Sequence, residues 1–209
     1  NNVEFHDNLI DSFYHWSAGG AGILIEKTTG IVDDVEVYNN TIYNTYGPGL
    51  WLIGYGNSYS KDEARNVHIY NNTFYETGTN PSIDWVGGIV TSGFYDTLIE
   101  NNVFDGVYHA AIIQMYPSTT DLDHSVDLSP QDAGYETIVR NNIITDTRKR
   151  TKNPDGTGFA VINYLPETHK LVLENNCLYN NTGGNYKNAS STTDIYADPL
   201  FVNESKYDY

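Results

Sequence analysis

An eight-residue box recurs six times along the 209-residue chain: VEFHDNLI (3–10), VEVYNNTI (35–42), VHIYNNTF (67–74), TLIENNVF (97–104), TIVRNNII (137–144) and LVLENNCL (171–178). Its third position is always apolar: Phe5, Val37, Ile69, Ile99, Val139 and Leu173. Its sixth is always asparagine: Asn8, Asn40, Asn72, Asn102, Asn142 and Asn176. Its eighth is Ile, Leu or Phe. Successive asparagines lie 32, 32, 30, 40 and 34 residues apart. A self-similar period of this length is the mark of a solenoid, in which each repeat buries its apolar side against its neighbours.

In the early copies positions two and four are mostly polar, as in Glu4 and His6, Glu36 and Tyr38, His68 and Tyr70. That alternation reads as a strand with one buried face. The paired Asx residues then bend the chain, because asparagine tolerates the left-handed backbone region better than most side chains. Stacked at the strand spacing, the asparagines fall above one another and their amides can bond as a ladder. No 3.6-residue period appears, and β-branched residues and Asn are poor helix formers. A β-sandwich with Asn-rich turns is the alternative, but sandwich strands do not share one motif at this spacing.

A strand, an Asn-Asn bend and a second short strand, repeated, resemble the right-handed parallel β-helix repeat of pectate-lyase-like proteins. The closing Asp198-Pro199-Leu200-Phe201 is similar to the last-coil ending of such proteins. More narrowly, GPGLWLIGYGN (47–57) followed by VHIYNNTF resembles the disaggregatase-associated domain of archaeal cell-surface proteins. The resemblance implies an all-β, right-handed parallel β-helix with an asparagine ladder and long loops. It also implies action on, or attachment to, a cell-envelope heteropolysaccharide outside the cell. It carries no catalytic residue over to this sequence.

One period throughout predicts one domain over 1–209, of six to seven coils. The chain starts without Met and enters the repeat at residue 3, so it reads as a piece of something longer. Net charge is −16, from 11 basic and 27 acidic residues. Such a surface repels nucleic acid. The single cysteine, Cys177, allows no internal disulfide and occupies a box position that is elsewhere Leu, Thr, Val or Ile, so a packing role is expected. No apolar run is long enough to span a membrane.

A second apolar strand follows each box after a variable loop: 22–25, 49–52, 88–91, 111–114 and 158–161. The small residue opening each suits close approach of the next coil. With Ile23, Leu50, Ile89, Ile112 and Phe159 inward, Leu24, Trp51, Val90, Ile113 and Ala160 face outward. So apolar an outer row must be covered by loops, a partner or a ligand. Loops 11–21, 75–87 and 145–157 precede this strand, and 54–66 and 116–136 follow it. They should form two walls with a groove between, the kind of surface on which solenoids bind extended ligands. Later boxes turn apolar at outer positions (Leu98, Ile138, Val172), which suggests cover by the 116–136 insertion, by a second copy, or by another domain.

Aromatic and ionisable residues cluster at the ends of the second strands. Trp16, Trp51, Trp85, Tyr55, Tyr108 and Tyr116 are the candidate sugar-binding set, since flat rings with a polar edge suit the apolar faces of sugars. Glycoside hydrolysis needs two carboxyl groups about 5–9.5 Å apart. Asp84 and Glu26 are the candidate pair, Asp155 stands behind them, and His109 is a candidate general acid or base. Elimination from a uronate would instead need a base and a cation to meet the carboxylate. Lys27, Arg148, Lys149, Arg150 and Lys152 are the candidates for that cation. Asp121, Asp123 and Asp127, with Asp132, are oxygen ligands of the type Ca²⁺ takes, though not at EF-hand spacing. A solvated loop accounts for them equally well. The expectation is part of a depolymerase, hydrolase or lyase, acting on a cell-surface heteropolysaccharide; the alternative is a non-catalytic glycan-binding or envelope module.

Overall fold

The computed structural model describes residues 2–11, 20–54, 64–83, 85–115, 136–165 and 171–201. Among the described residues, eighteen strands run in six coils. The first coil holds β1 (Val3–His6), β2 (Leu9–Asp11) and β3 (Ile23–Lys27); the second β4 (Val35–Tyr38), β5 (Thr41–Tyr43) and β6 (Leu50–Gly54). The third holds β7 (Arg65–Tyr70), β8 (Thr73–Tyr75) and β9 (Ile89–Ser92); the fourth β10 (Tyr95–Glu100), β11 (Val103–Asp105) and β12 (Ala110–Met115). The fifth holds β13 (Thr137–Arg140), β14 (Ile143–Thr145) and β15 (Phe159–Asn163); the sixth β16 (Leu171–Glu174), β17 (Cys177–Tyr179) and β18 (Gly184–Lys187). Equivalent strands pair in parallel into three six-stranded sheets: A from the first strand of each coil, B from the second, C from the third. This is a parallel β-helix. Twisted parallel strands joined by crossovers take the right-handed course. Among the described residues no helix is long and apolar enough to cross a membrane.

Each coil turns through left-handed residues at its corners. Box position five does so between sheets A and B, with φ of 54–56° at Asp7, Asn39, Asn71, Asn101, Asn141 and Asn175. Asn44, Glu76, Gly106, Asp146 and Asn180 do so after sheet B, and Asp34, Asn66, Asp96 and Glu136 before sheet A. Asx side chains dominate because they carry the smallest penalty there after glycine.

Position six builds the expected ladder. The backbone N–H and side-chain amide of Asn8 both donate to Oδ1 of Asn40, at 3.1 and 2.9 Å. The same pair of bonds runs from Asn40 to Asn72, Asn72 to Asn102, Asn102 to Asn142 and Asn142 to Asn176. The last rung is Asp194, whose carboxylate accepts both donors of Asn176. From Asn40 to Asn176 these amides are buried, so each rung satisfies donors that would otherwise be costly.

The core lies inside the coil. Ile42, Phe74, Phe104, Ile144 and Leu178 stack along sheet B, with the rings of Phe74 and Phe104 4.9 Å apart and nearly parallel. The small residues that open the strands of sheet C make room for them. A Cβ on Gly49 would lie 2.6 Å from the Phe74 ring, and one on Gly88 2.7 Å from the Phe104 ring. Ile23, Leu50, Ile89 and Ile112 face inward as expected. The fifth coil differs. Val161, not Phe159, pairs with Ile112, Phe159 packs on the outer side, and Ala160 lies in the core. The chain enters this strand as it enters β12, where Ala111 and Ile112 both face inward, so strict alternation fails at the corner. Cys177 is half-buried and burial pushes its thiol pKa up, as fits a packing residue.

Candidate functional site

The outer side of sheet C is a second apolar cluster: Trp51, Ile53, Val90, Ala110, Ile113 and Ile162. Trp51 is only 8 % exposed, and Val90 and Ile113 are fully buried, whereas Leu24 in the first coil is 47 % exposed. The row expected to need cover is therefore covered within the chain over the middle coils. Trp85, from the loop before β9, stacks on Trp51 with ring centroids 4.5 Å apart. The Trp51 indole N–H is buried and meets no acceptor among the described residues. Trp51 is thus no open platform; the half-buried Trp85 is the accessible ring of the pair.

The loops that precede sheet C form one tied wall. Arg150 reaches from the fifth coil to the Ile83 carbonyl, donating through Nη1 at 2.9 Å, and so pins the Trp85 loop. Arg148 donates to the Glu76 carboxylate at 2.6 Å and to the Tyr108 hydroxyl at 3.3 Å, with its guanidinium 5.5 Å from the Tyr108 ring centre. Burial of Arg148 works against its charge, but its bonds to Tyr108 and Glu76 outweigh this and hold its pKa up. Glu76 and His109 have φ of 48° and 69°. Where Glu76 stands other coils use Asx or Gly, and a left-handed Glu or His is backbone strain of the kind that gathers at functional sites.

His109 is 1 % exposed, and its Nε2 lies 3.4 Å from the Tyr164 hydroxyl. Lys187 sits 5.3 Å from the Tyr164 ring centre. Asp155 is exposed on the loop before β15. Glu26 is exposed in the first coil, four strands of sheet C away from β15. At about 4.8 Å per strand the two carboxyls are ~19 Å apart along the axis alone. They cannot flank one glycosidic bond. Asp84, Trp16, Tyr55, Tyr116, Asp121, Asp123, Asp127 and Asp132 lie outside the described residues. Among the described residues no three His, Cys, Asp or Glu side chains gather as a metal site.

The structure therefore brings Trp51 to Trp85, and Tyr108 and His109 to the same wall, and separates Glu26 from Asp155. Sequence reasoning missed Tyr164, Glu76 and Lys187. Tyr164 had a signal: it follows its strand as Tyr55 and Tyr116 follow theirs. Glu76 and Lys187 had none, since each acts through a residue in another coil.

A second ordered surface lies on sheet A. The rings of His6, Tyr38 and Tyr70 stack at 4.8 and 5.0 Å, and Tyr38 and Tyr70 donate to Glu4 and Glu36. Burial, then the Glu36 bond, pushes the Tyr70 pKa up to about 12. Within the stack these rings cover one another's faces.

No curated protein and no solved structure gives a match to the chain. A family profile described as disaggregatase related matches residues 32–209, from the last turn of the first coil to the end of the chain, and the protein belongs to that family.

Proposed function

We propose that this protein is a polysaccharide-directed β-helix of the cell surface, part of a depolymerase acting on an envelope heteropolysaccharide. The observation that carries the reading is the outer side of sheet C, where Trp85 stacks on Trp51, Arg148 lies against the Tyr108 ring and Lys187 lies over the Tyr164 ring. Arg148, Lys149, Arg150, Lys152 and Lys187 are five of the chain's eleven basic residues, gathered on a protein of net charge −16. Aromatic rings offer apolar faces to sugars, and the cations suit acidic substituents along a polymer. A wall of loops on a solenoid suits a ligand that is extended.

The alternative is a glycan-binding module without chemistry. Incubating the protein with acidic envelope polysaccharide and following chain length decides between them. Shortening supports the depolymerase; binding without shortening supports the module; no binding rejects both. Trp85→Ala is expected to weaken glycan binding by about 1–3 kcal/mol while the melting curve holds.

A further inference from the structure

His109 and Tyr164 come from opposite ends of neighbouring strands. His109 precedes β12, and Tyr164 follows β15. Tyr164 packs on the outer cluster, and the two side chains meet there at 3.4 Å. Both are held by backbone bonds. The His109 N–H donates to Arg148, its carbonyl accepts from Gly158 and Phe159, and the Tyr164 N–H donates to Gln114. The imidazole is buried; the phenol is half-buried and reachable. Lys187 lies over the phenol ring, and Lys149 and Lys152 are exposed on the approach to β15. A phenol backed by an imidazole, with an ammonium alongside, is equipment for removing a proton next to a carboxylate.

We propose that Tyr164 is the proton-abstracting group of an eliminative cleavage of a uronate-containing glycan, that His109 behind it is a positioning residue, and that Lys187 meets the substrate carboxylate; this rests on the polysaccharide reading above. The Tyr164 hydroxyl passes its proton to His109 Nε2. The phenolate oxygen takes the hydrogen from the ring carbon that bears the carboxylate, C5. The electron pair of that C–H bond becomes the C4=C5 double bond, and the C4–O glycosidic bond breaks. The departing oxygen leaves with the electron pair and takes up the proton from the Tyr164 phenol. The proton on His109 then returns to the phenolate. No oxidant, reductant or water is consumed. The 3.4 Å separation is long for such a transfer, as is common before substrate tightens a site.

The test uses the whole chain with three defined acidic probes: hyaluronan, heparosan and polygalacturonate. Binding is measured by calorimetry, cleavage by chain length, and elimination by the ultraviolet absorbance of the unsaturated uronate end. Cleavage of at least one probe with matching absorbance is expected. Tyr164→Phe, which keeps the ring, should lower the rate by about 10²–10⁴-fold and leave binding within twofold. His109→Asn, which tolerates the left-handed backbone, should slow cleavage less and alter the low-pH limb of the rate profile. A merely structural histidine would leave that limb unchanged. New reducing ends without absorbance would overturn elimination, and so would full activity in Tyr164→Phe. Binding without cleavage of any probe would overturn the proposal but spare the polysaccharide reading. Failure to bind all three would overturn both.

Discussion

Sheet C separates two apolar clusters that are built by different rules. The inner one is drawn from positions that recur in every coil: Val37, Ile69, Ile99, Val139 and Leu173 from sheet A, Ile42 to Leu178 from sheet B. Each residue there meets its own equivalent above and below. The outer cluster has no such repetition. Trp51, Val90, Ile113 and Ile162 are neighbours in register, yet what covers them, Trp85, Phe159, Met115 and Tyr164, comes from unrelated positions in the coil. The inner cluster therefore specifies the fold, and the outer one attaches the walls to it. Left-handed Glu76 and His109 and the Arg148–Glu76 ion pair lie on the outer side.

Breaking the inner cluster should cost most. Phe104→Ala removes the partner of Phe74 from a fully buried stack, and a loss of about 3–5 kcal/mol is expected. Chemical denaturation with an unchanged slope checks it. Trp51→Ala, in the outer cluster, should cost about 3 kcal/mol, because its indole is buried against Trp85. If Trp51→Ala melts like the parent, the outer cluster is dispensable and the comparison fails. Arg150→Ala should cost about 1.5–3 kcal/mol through its lost bond to Ile83. Its signature is a red shift in Trp85 emission at temperatures where far-ultraviolet dichroism is unchanged.

The smallest effect concerns acid, on the sheet A face. The Arg140 guanidinium beside Glu100 is the main force holding that carboxyl below its ordinary 4.5; burial opposes it, and His68 adds to it. A carboxyl with a folded pKa below the unfolded one stabilises the fold above the unfolded value. That contribution is lost as pH falls below about 4.5 and through the folded value. Melting temperature should drop less steeply below pH 4.5 in Glu100→Gln than in the parent. Equal slopes would show the pair to be inert.

The fold was legible because a solenoid writes its contacts into a period. Six asparagines at one box position announced the ladder, and the apolar third and eighth positions announced the core. The inward residues of sheet C followed by alternation until Phe159, where two consecutive inward residues at the corner reversed the assignment. The site was less legible for the same reason. Trp51 lies outside the core, as its parity required, yet it is not open, because Trp85 sits 34 residues away on a loop with no repeat to place it. Asp155 and Glu26 both belong to the sheet C side of their coils, but strand number along the axis sets the distance between them. Arg148 holding Glu76 is a bond across two coils between loops, and no periodicity encodes such a bond.

The asparagine ladder also has a direction. Every rung gives two hydrogens toward the C-terminal end and receives two from the other side. At Asp194 the current stops, for an ionised carboxylate has nothing to give, and one of its oxygens is occupied by the Tyr186 hydroxyl. A coil set beyond Asp194 would receive no side-chain hydrogen from it, so a stack whose geometry invites endless growth is chemically closed at this rung.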